Sequence, residues 1–291
     1  GLLIDCDLHG RQYGVTVQGR LEAAGTSPQR RDCRLGSLKR NGAYAARLVF
    51  EGRKPDSKDD YGFIRNCNFG ECDVAVTCGG LQVSGSRLLR SNFDTKWTFE
   101  CPLVFAGNEM FGSSVKVYDA RDWTFEKNMM SGGRVFAHPH QPAKGKARFS
   151  GNVFDHGENR TVWVVSVNKD MVFEGNTYRN CPQTALYIQN AVGAPLVLRN
   201  ETFLDNLIDV EIAAPVEATL EGCAFRRTRS GHKADLVAGP ASVRLRGCRF
   251  DKDPVVTTDK TGGVLSTDHN GAAGATRAWG RKLSAGAETA P

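Results

Sequence analysis

A short pattern recurs roughly every two dozen residues, and it constrains this chain more than anything in its composition. It reads apolar-x-x-[Asn/Cys]-x-[Phe/Leu/Met/Tyr] and stands as IRNCNF at 64–69, FAGNEM at 105–110, FEKNMM at 125–130, FSGNVF at 149–154, FEGNTY at 173–178, LEGCAF at 220–225 and LRGCRF at 245–250. Looser copies are LLRSNF at 88–93 and LRNETF at 198–203, with earlier traces at IDCDL (4–8) and RDCRL (31–35). Taking Cys67, Ser91, Asn108, Asn128, Asn152, Asn176, Glu201, Cys223 and Cys248 as equivalent gives steps of 24, 17, 20, 24, 24, 25, 22 and 25 residues. A repeat of this length marks a solenoid, whose units bury their apolar faces only by stacking on neighbours.

The content of one turn narrows the choice. Between anchors lie short alternating runs rich in β-branched and aromatic residues, such as TVWVVSV (161–167), MVFEG (171–175), TALYI (184–188) and LIDVEI (207–212). Gly, Asn, Pro and Asp punctuate the joins, and helical periodicity is nearly absent. The chain therefore resembles the right-handed parallel β-helix, or pectate-lyase-like, superfamily over roughly residues 2–250. The expected architecture is all-β, a right-handed parallel β-helix of about ten turns. Residues 1–254 form the helix, and 255–291 are a C-terminal cap or a loosely ordered tail. The chain opens directly on a strand with no capping segment, which points to residues upstream.

At the anchor position, successive Asn side chains are expected to point inward and form an amide ladder. Cys substitutes there as a small buried hydrophobe. Five of the nine cysteines (Cys6, Cys33, Cys67, Cys223 and Cys248) occupy that slot. The other four, Cys72, Cys78, Cys101 and Cys181, show no metal-site spacing. The net charge of +6 is modest and scattered, apart from RRDCR at 30–34 and RRTR at 226–229. It suits a polyanionic ligand and does not read as a nucleic-acid arm. No run approaches the roughly 20 apolar residues of a membrane span.

In β-helix enzymes of this superfamily, substrate lies across the outer face of one strand of each turn. Alternation along each strand places Thr16, Gln18, Thr77, Thr98 and Glu100 outward, then Lys116 and Tyr118, Phe136 and His138, Trp163, Tyr187 and Gln189, Asp209 and Glu211, and Asp235. Aromatic faces stack on sugar rings while neighbouring polar groups orient hydroxyls, so the stripe points to carbohydrate. Lys116, Tyr118 and His138, on adjacent rungs, are the candidate catalytic set for β-elimination of a uronic acid. That chemistry needs a proton acceptor, a proton donor and a positive group beside the carboxylate. Glu100, Phe136, Trp163, Tyr187, Gln189, Asp209, Glu211 and Asp235 are the candidate substrate contacts. Asp209, Glu211 and Asp235 also offer an alternative, glycoside hydrolysis by paired carboxylates. His138 and His140 face the same way but lack a third ligand, so no metal and no cofactor are expected.

One stretch, NGAYAARLVF (41–50) followed by YGFIRNCNFGECDVAV (61–76), is similar to strands of the chondroitinase B and alginate lyase type through Asn41, Gly42 and Arg47. That family's acidic and lysine positions read Tyr44, Ala75, Thr77 and Gly79 here, so its calcium-and-lysine set is missing. The departure keeps open a non-catalytic polysaccharide-binding or structural module. The resemblance implies a secreted or cell-surface protein whose partner is a polysaccharide, polyanionic in character, with no nucleic-acid partner.

Overall fold

The computed structural model describes residues 2–4, 7–9, 15–18, 21–24, 33–36, 46–51, 61–70, 72–77, 80–96, 102–118, 120–138, 145–167, 170–191, 194–259, 262–266 and 277–280. Glu100, His140, Asn41, Gly42, Tyr44, Thr98 and Gly79 lie outside them. Among the described residues every regular element is a strand, and the coil is a parallel β-solenoid. The number of turns differs slightly from the ten suggested by the anchors.

Each turn lays down three strands, which stack into three faces. Face A is a sheet of thirteen strands running from Leu2–Ile4 to Arg277–Gly280. It is parallel until its last pair, where Gly263–Ser266 meets Arg277–Gly280 antiparallel. Faces B and C together form a second sheet of twenty strands. Glu109–Tyr118 and Met129–His138 run through both faces without a break, while other turns divide at that corner. Val256–Thr258 and Gly263–Ser266 add further rungs to faces C and A, and Val264 is buried.

The repeated motif is the corner between faces A and B. The residue before each anchor has positive φ: Asn66, Gly85, Gly107, Lys127, Gly151, Gly175, Asn200, Gly222 and Gly247. This left-handed conformation turns the chain sharply, and glycine or asparagine adopts it at low cost. The anchor that follows is swung inward. The Nδ2 of Asn108 donates to Asn128 Oδ1 (2.9 Å), Asn128 to Asn152 (3.0 Å), Asn152 to Asn176 (2.8 Å), and Asn176 to Glu201 (3.1 Å). Each anchor's backbone N–H donates to the same acceptor, and each Nδ2 also reaches a face-A carbonyl such as Phe105 O or Phe125 O. Every buried amide in this run is thereby satisfied.

One anchor assignment needs correction. In register with Cys67 stands Ser86, within VSGSRL (83–88), and not Ser91. The Cys67 N–H donates to Ser86 Oγ, and the Ser86 N–H to Asn108 Oδ1. Ser91 belongs to the B–C corner, where Arg90, Gly112, Gly132, His156, Asn180 and Asp205 carry the positive φ. Ser91, Ser113, Gly133, Gly157, Cys181 and Asn206 follow them inward, all buried. The two corners use the same device, a left-handed residue followed by a small buried one, so LLRSNF matches the motif while sitting one corner away. At Gly133 the inward slot is so tight that a Cβ would lie 1.9 Å from the Ser113 carbonyl oxygen.

Inside, the rings stack. Phe154, Tyr178, Phe203, Phe225 and Phe250 follow one another along face B with centroids 4.7–5.1 Å apart and planes within 16°. Cys67, Cys181, Cys223 and Cys248 are buried within this core.

Candidate functional site

Face C carries the stripe expected from alternation. Its central outward column runs in register through Ala75, Asp94, Lys116, Phe136, Trp163, Tyr187 and Glu211. Beside it, Tyr118 pairs with His138, their rings 5.6 Å apart. Phe136 contacts Tyr118 and His138, each at 5.7 Å, and meets Trp163 edge-on at 4.9 Å; Trp163 lies 6.1 Å from Tyr187. The outer column of face A, by contrast, reads Thr124, Arg148, Val172, Val197, Thr219 and Arg244. Only face C among the described residues holds a continuous outward run of rings.

Arg160, which precedes this column on the same strand, lays its guanidinium 3.7 Å from the centroid of Tyr187 and 4.8 Å from that of Trp163. A cation held over ring faces is stabilised by their quadrupoles. It lies over Tyr187, a residue that is 7% exposed. Trp163 Nε1 donates to Gln189 Oε1 at 2.9 Å, which fixes the indole. At the other end a depression of about 520 Å³ lies over Asn92, Asp94, Ser114, Lys116 and Arg134. Burial, then the Asp94 carboxylate, raises the Tyr118 hydroxyl above its ordinary range, so it stays protonated at neutral pH.

The acidic candidates separate. Glu211 stays on the outer column, where its Oε2 accepts from Thr184 Oγ1 at 2.9 Å. Asp209 and Asp235 are fully buried. They occupy matching positions on paired strands toward the B–C corner, beside the inward Asn206, and the segment 226–233 forms a roof at that corner. Asp205 holds that roof by accepting from the Thr228 N–H, Thr228 Oγ1 and the Arg229 N–H. Asp209 Oδ1 accepts from Asn206 Nδ2 at 2.8 Å, and Asp235 Oδ2 from the Val255 N–H at 2.7 Å. Asp235 Oδ1 lies 3.1 Å from His232 Nε2 and 3.6 Å from Arg227 Nε. Desolvation pushes the Asp209 carboxyl well up, outweighing the Asn206 bond. Desolvation also raises Asp235, though the Val255 N–H, Arg227 and His232 oppose it.

Sequence reasoning singled out the rings and acids of this face but missed Arg160, Arg134 and His232 as members of it. Arg160 sits three positions from Trp163, where alternation would not aim it at the rings. His232 lies on a connection between strands, where no period applies.

No family model matches this chain, and no curated protein matches it. Among solved structures it is similar to tailspike protein 3 of bacteriophage CBA120, with a TM-score of 0.54 and 11% identity. The match covers 93% of this chain and 56% of the tailspike chain, so the chain spans little more than half the length of that protein. The likeness shows the fold alone: a parallel β-helix.

Proposed function

We propose that face C binds an extended acidic polysaccharide along the Lys116–Phe136–Trp163 row. The observation that carries this reading is the registered run of outward rings with the Arg160 cation lying on them. Ring faces suit the apolar faces of sugars, and Lys116, Arg134 and Arg160 supply positive charge for carboxylates or sulfates. The tailspike supports the reading through the fold alone. A secreted or cell-surface setting belongs to the same proposal. The test is retention on alginate, pectate, chondroitin and neutral glycans, followed by titration calorimetry. Trp163→Ala is expected to weaken binding at least tenfold with the fold intact, a loss of about 1.4 kcal/mol. Equal affinity of Trp163→Ala and the native chain, or no retention on any glycan, would sink it.

A second reading adds catalysis by β-elimination. It is favoured by the registered Tyr118–His138 pair, with Lys116 two residues before Tyr118. In this scheme Lys116 would sit at the uronate carboxylate, His138 would accept the C5 proton, and the protonated Tyr118 hydroxyl would donate to the leaving oxygen. Unsaturated uronic product, seen by its ultraviolet absorbance and lost in His138→Ala and Tyr118→Phe, would support it. Binding without such product leaves a non-catalytic module. Paired-carboxylate hydrolysis gains no support from the geometry, because Asp209 and Asp235 are buried away from any glycan lying on face C.

A further inference from the structure

We infer that Asp209, His232 and Asp235 form a binding site for a divalent transition-metal ion of the zinc class. Each offers one ligand atom, and the three atoms lie within 4.8 Å of one another. They come from three places: the strand Ile208–Ile212, the roof segment, and the strand Ala234–Ala238. Two carboxylate oxygens and one imidazole nitrogen make a donor set that zinc-class ions accept, with a fourth position left for water.

Proximity is not the only support. His232 Nδ1 lies 2.9 Å from the Asn206 carbonyl oxygen. That acceptor calls for a proton on Nδ1, and a ring carrying only that proton turns the lone pair of Nε2 toward Asp235 Oδ1, at 3.1 Å. Two lone pairs facing each other at this distance repel, so a positive centre belongs between them. A carbonyl holding the far nitrogen is also the usual support of a metal-bound histidine. Asp209 Oδ2, Asp235 Oδ1 and His232 Nε2 are buried, and none has a hydrogen-bond partner. Asp209 is itself completely buried, so its second oxygen is desolvated with nothing offsetting the cost. Arg227 stands on one side, 3.6 Å from Asp235, and balances a single carboxylate. His232 and Arg227 also line a depression of about 260 Å³ that opens outward past Asn206 and Gly231. A bound ion would tie the roof segment to face C at the edge of the proposed glycan surface, whether or not that surface binds glycan.

The test uses the full chain stripped with chelator and titrated calorimetrically with Zn²⁺, Mn²⁺ and Ca²⁺. One equivalent of Zn²⁺ is expected to bind, and Asp209→Asn and His232→Ala are each expected to weaken it at least tenfold while circular dichroism stays unchanged. Ca²⁺ should bind far more weakly. Should either variant fail to fold, anomalous diffraction at the zinc edge from crystals of the unaltered chain decides the question. A peak between the three side chains supports the site. A peak only elsewhere, no stoichiometric binding, undiminished binding in folded variants, or a preference for Ca²⁺ over Zn²⁺ overturns it. In those cases the positive centre is a proton shared among the three groups.

Discussion

Two buried polar regions of this molecule stand in contrast, although they lie only a corner apart. Along the A–B corner, Asn108, Asn128, Asn152 and Asn176 repeat one geometry, and each amide both donates and accepts. Beneath the roof at 226–233, Asp209, His232 and Asp235 repeat nothing, and three of their buried atoms face one another without partners. A saturated polar network fixes the register of a fold, whereas an unsaturated one costs stability and persists where it serves something else. The ladder holds the coil together, and the roofed cluster is a place for a ligand.

The largest effect should come from breaking the ladder in its middle. Asn152→Ala removes the oxygen that accepts from both the N–H and the Nδ2 of Asn128, and the Nδ2 that serves Phe125 O. Three buried groups lose partners, so chemical denaturation should show a loss on the order of 4 kcal/mol. Next comes Glu201, where the ladder meets an ionisable rung. Desolvation raises its carboxyl to about 8, against the opposing bonds from the Asn176 N–H and side chain. A carboxyl whose folded pKa lies above its unfolded value stabilises the fold fully below the unfolded value near 4.5, and that stabilisation is lost as pH rises through about 8. Glu201→Gln should therefore flatten the decline in stability between about pH 4.5 and 8. At alkaline pH it should exceed the native chain by a few kcal/mol, since each unit of pKa shift is worth about 1.4 kcal/mol. Parallel decline of both chains across that range would show that the carboxyl is not the titrating group.

How much of this was legible beforehand follows the same division. The ladder announces itself because each rung needs the same residue at the same place: Gly or Asn in the left-handed position, then Asn or Cys. Asn128 breaks the first half of that rule, following Lys127 at φ 52°, and still reads as an anchor because the second half is kept. Ser91 misled because the B–C corner meets the same steric demand with the same residue types. On face C, alternation located Lys116, Tyr118, Phe136, His138, Trp163 and Glu211, since the strands there are regular. It failed for Asp209 and Asp235, which are outward by parity yet buried. At Asp209 and Asp235 the alternation itself breaks: Asp209 and Val210 are both buried, as are Asp235 and Leu236, so parity misassigns the two acids. The segment beside them carries Thr228, Arg229 and His232, whose positions depend on hydrogen bonds to Asp205 and Asn206 made across adjacent turns. No local pattern encodes such contacts.

The smallest effect, and the one that most sharpens the contrast, concerns the sign of Asp209→Asn. A rung of the ladder is destabilised by any change, but a cluster kept unsaturated for a ligand should gain from being neutralised while that ligand is absent. The introduced amide keeps the acceptor used by Asn206 and offers its new hydrogens toward Asp235 Oδ1, removing an unpaired buried oxygen. In chelator the variant should be more stable than the native chain by about 1–2 kcal/mol. Because desolvation raises the native Asp209 carboxyl, its stabilising contribution is present at acid pH and declines as pH rises. The variant's advantage should therefore widen toward alkaline pH. Saturating Zn²⁺ should reverse the order, since only the native chain gains from binding. Thermal melts of both chains, with chelator and with Zn²⁺ at two pH values, read all of this at once. A variant less stable than the native chain in chelator would place Asp209 among the structural rungs and remove the contrast between the two regions.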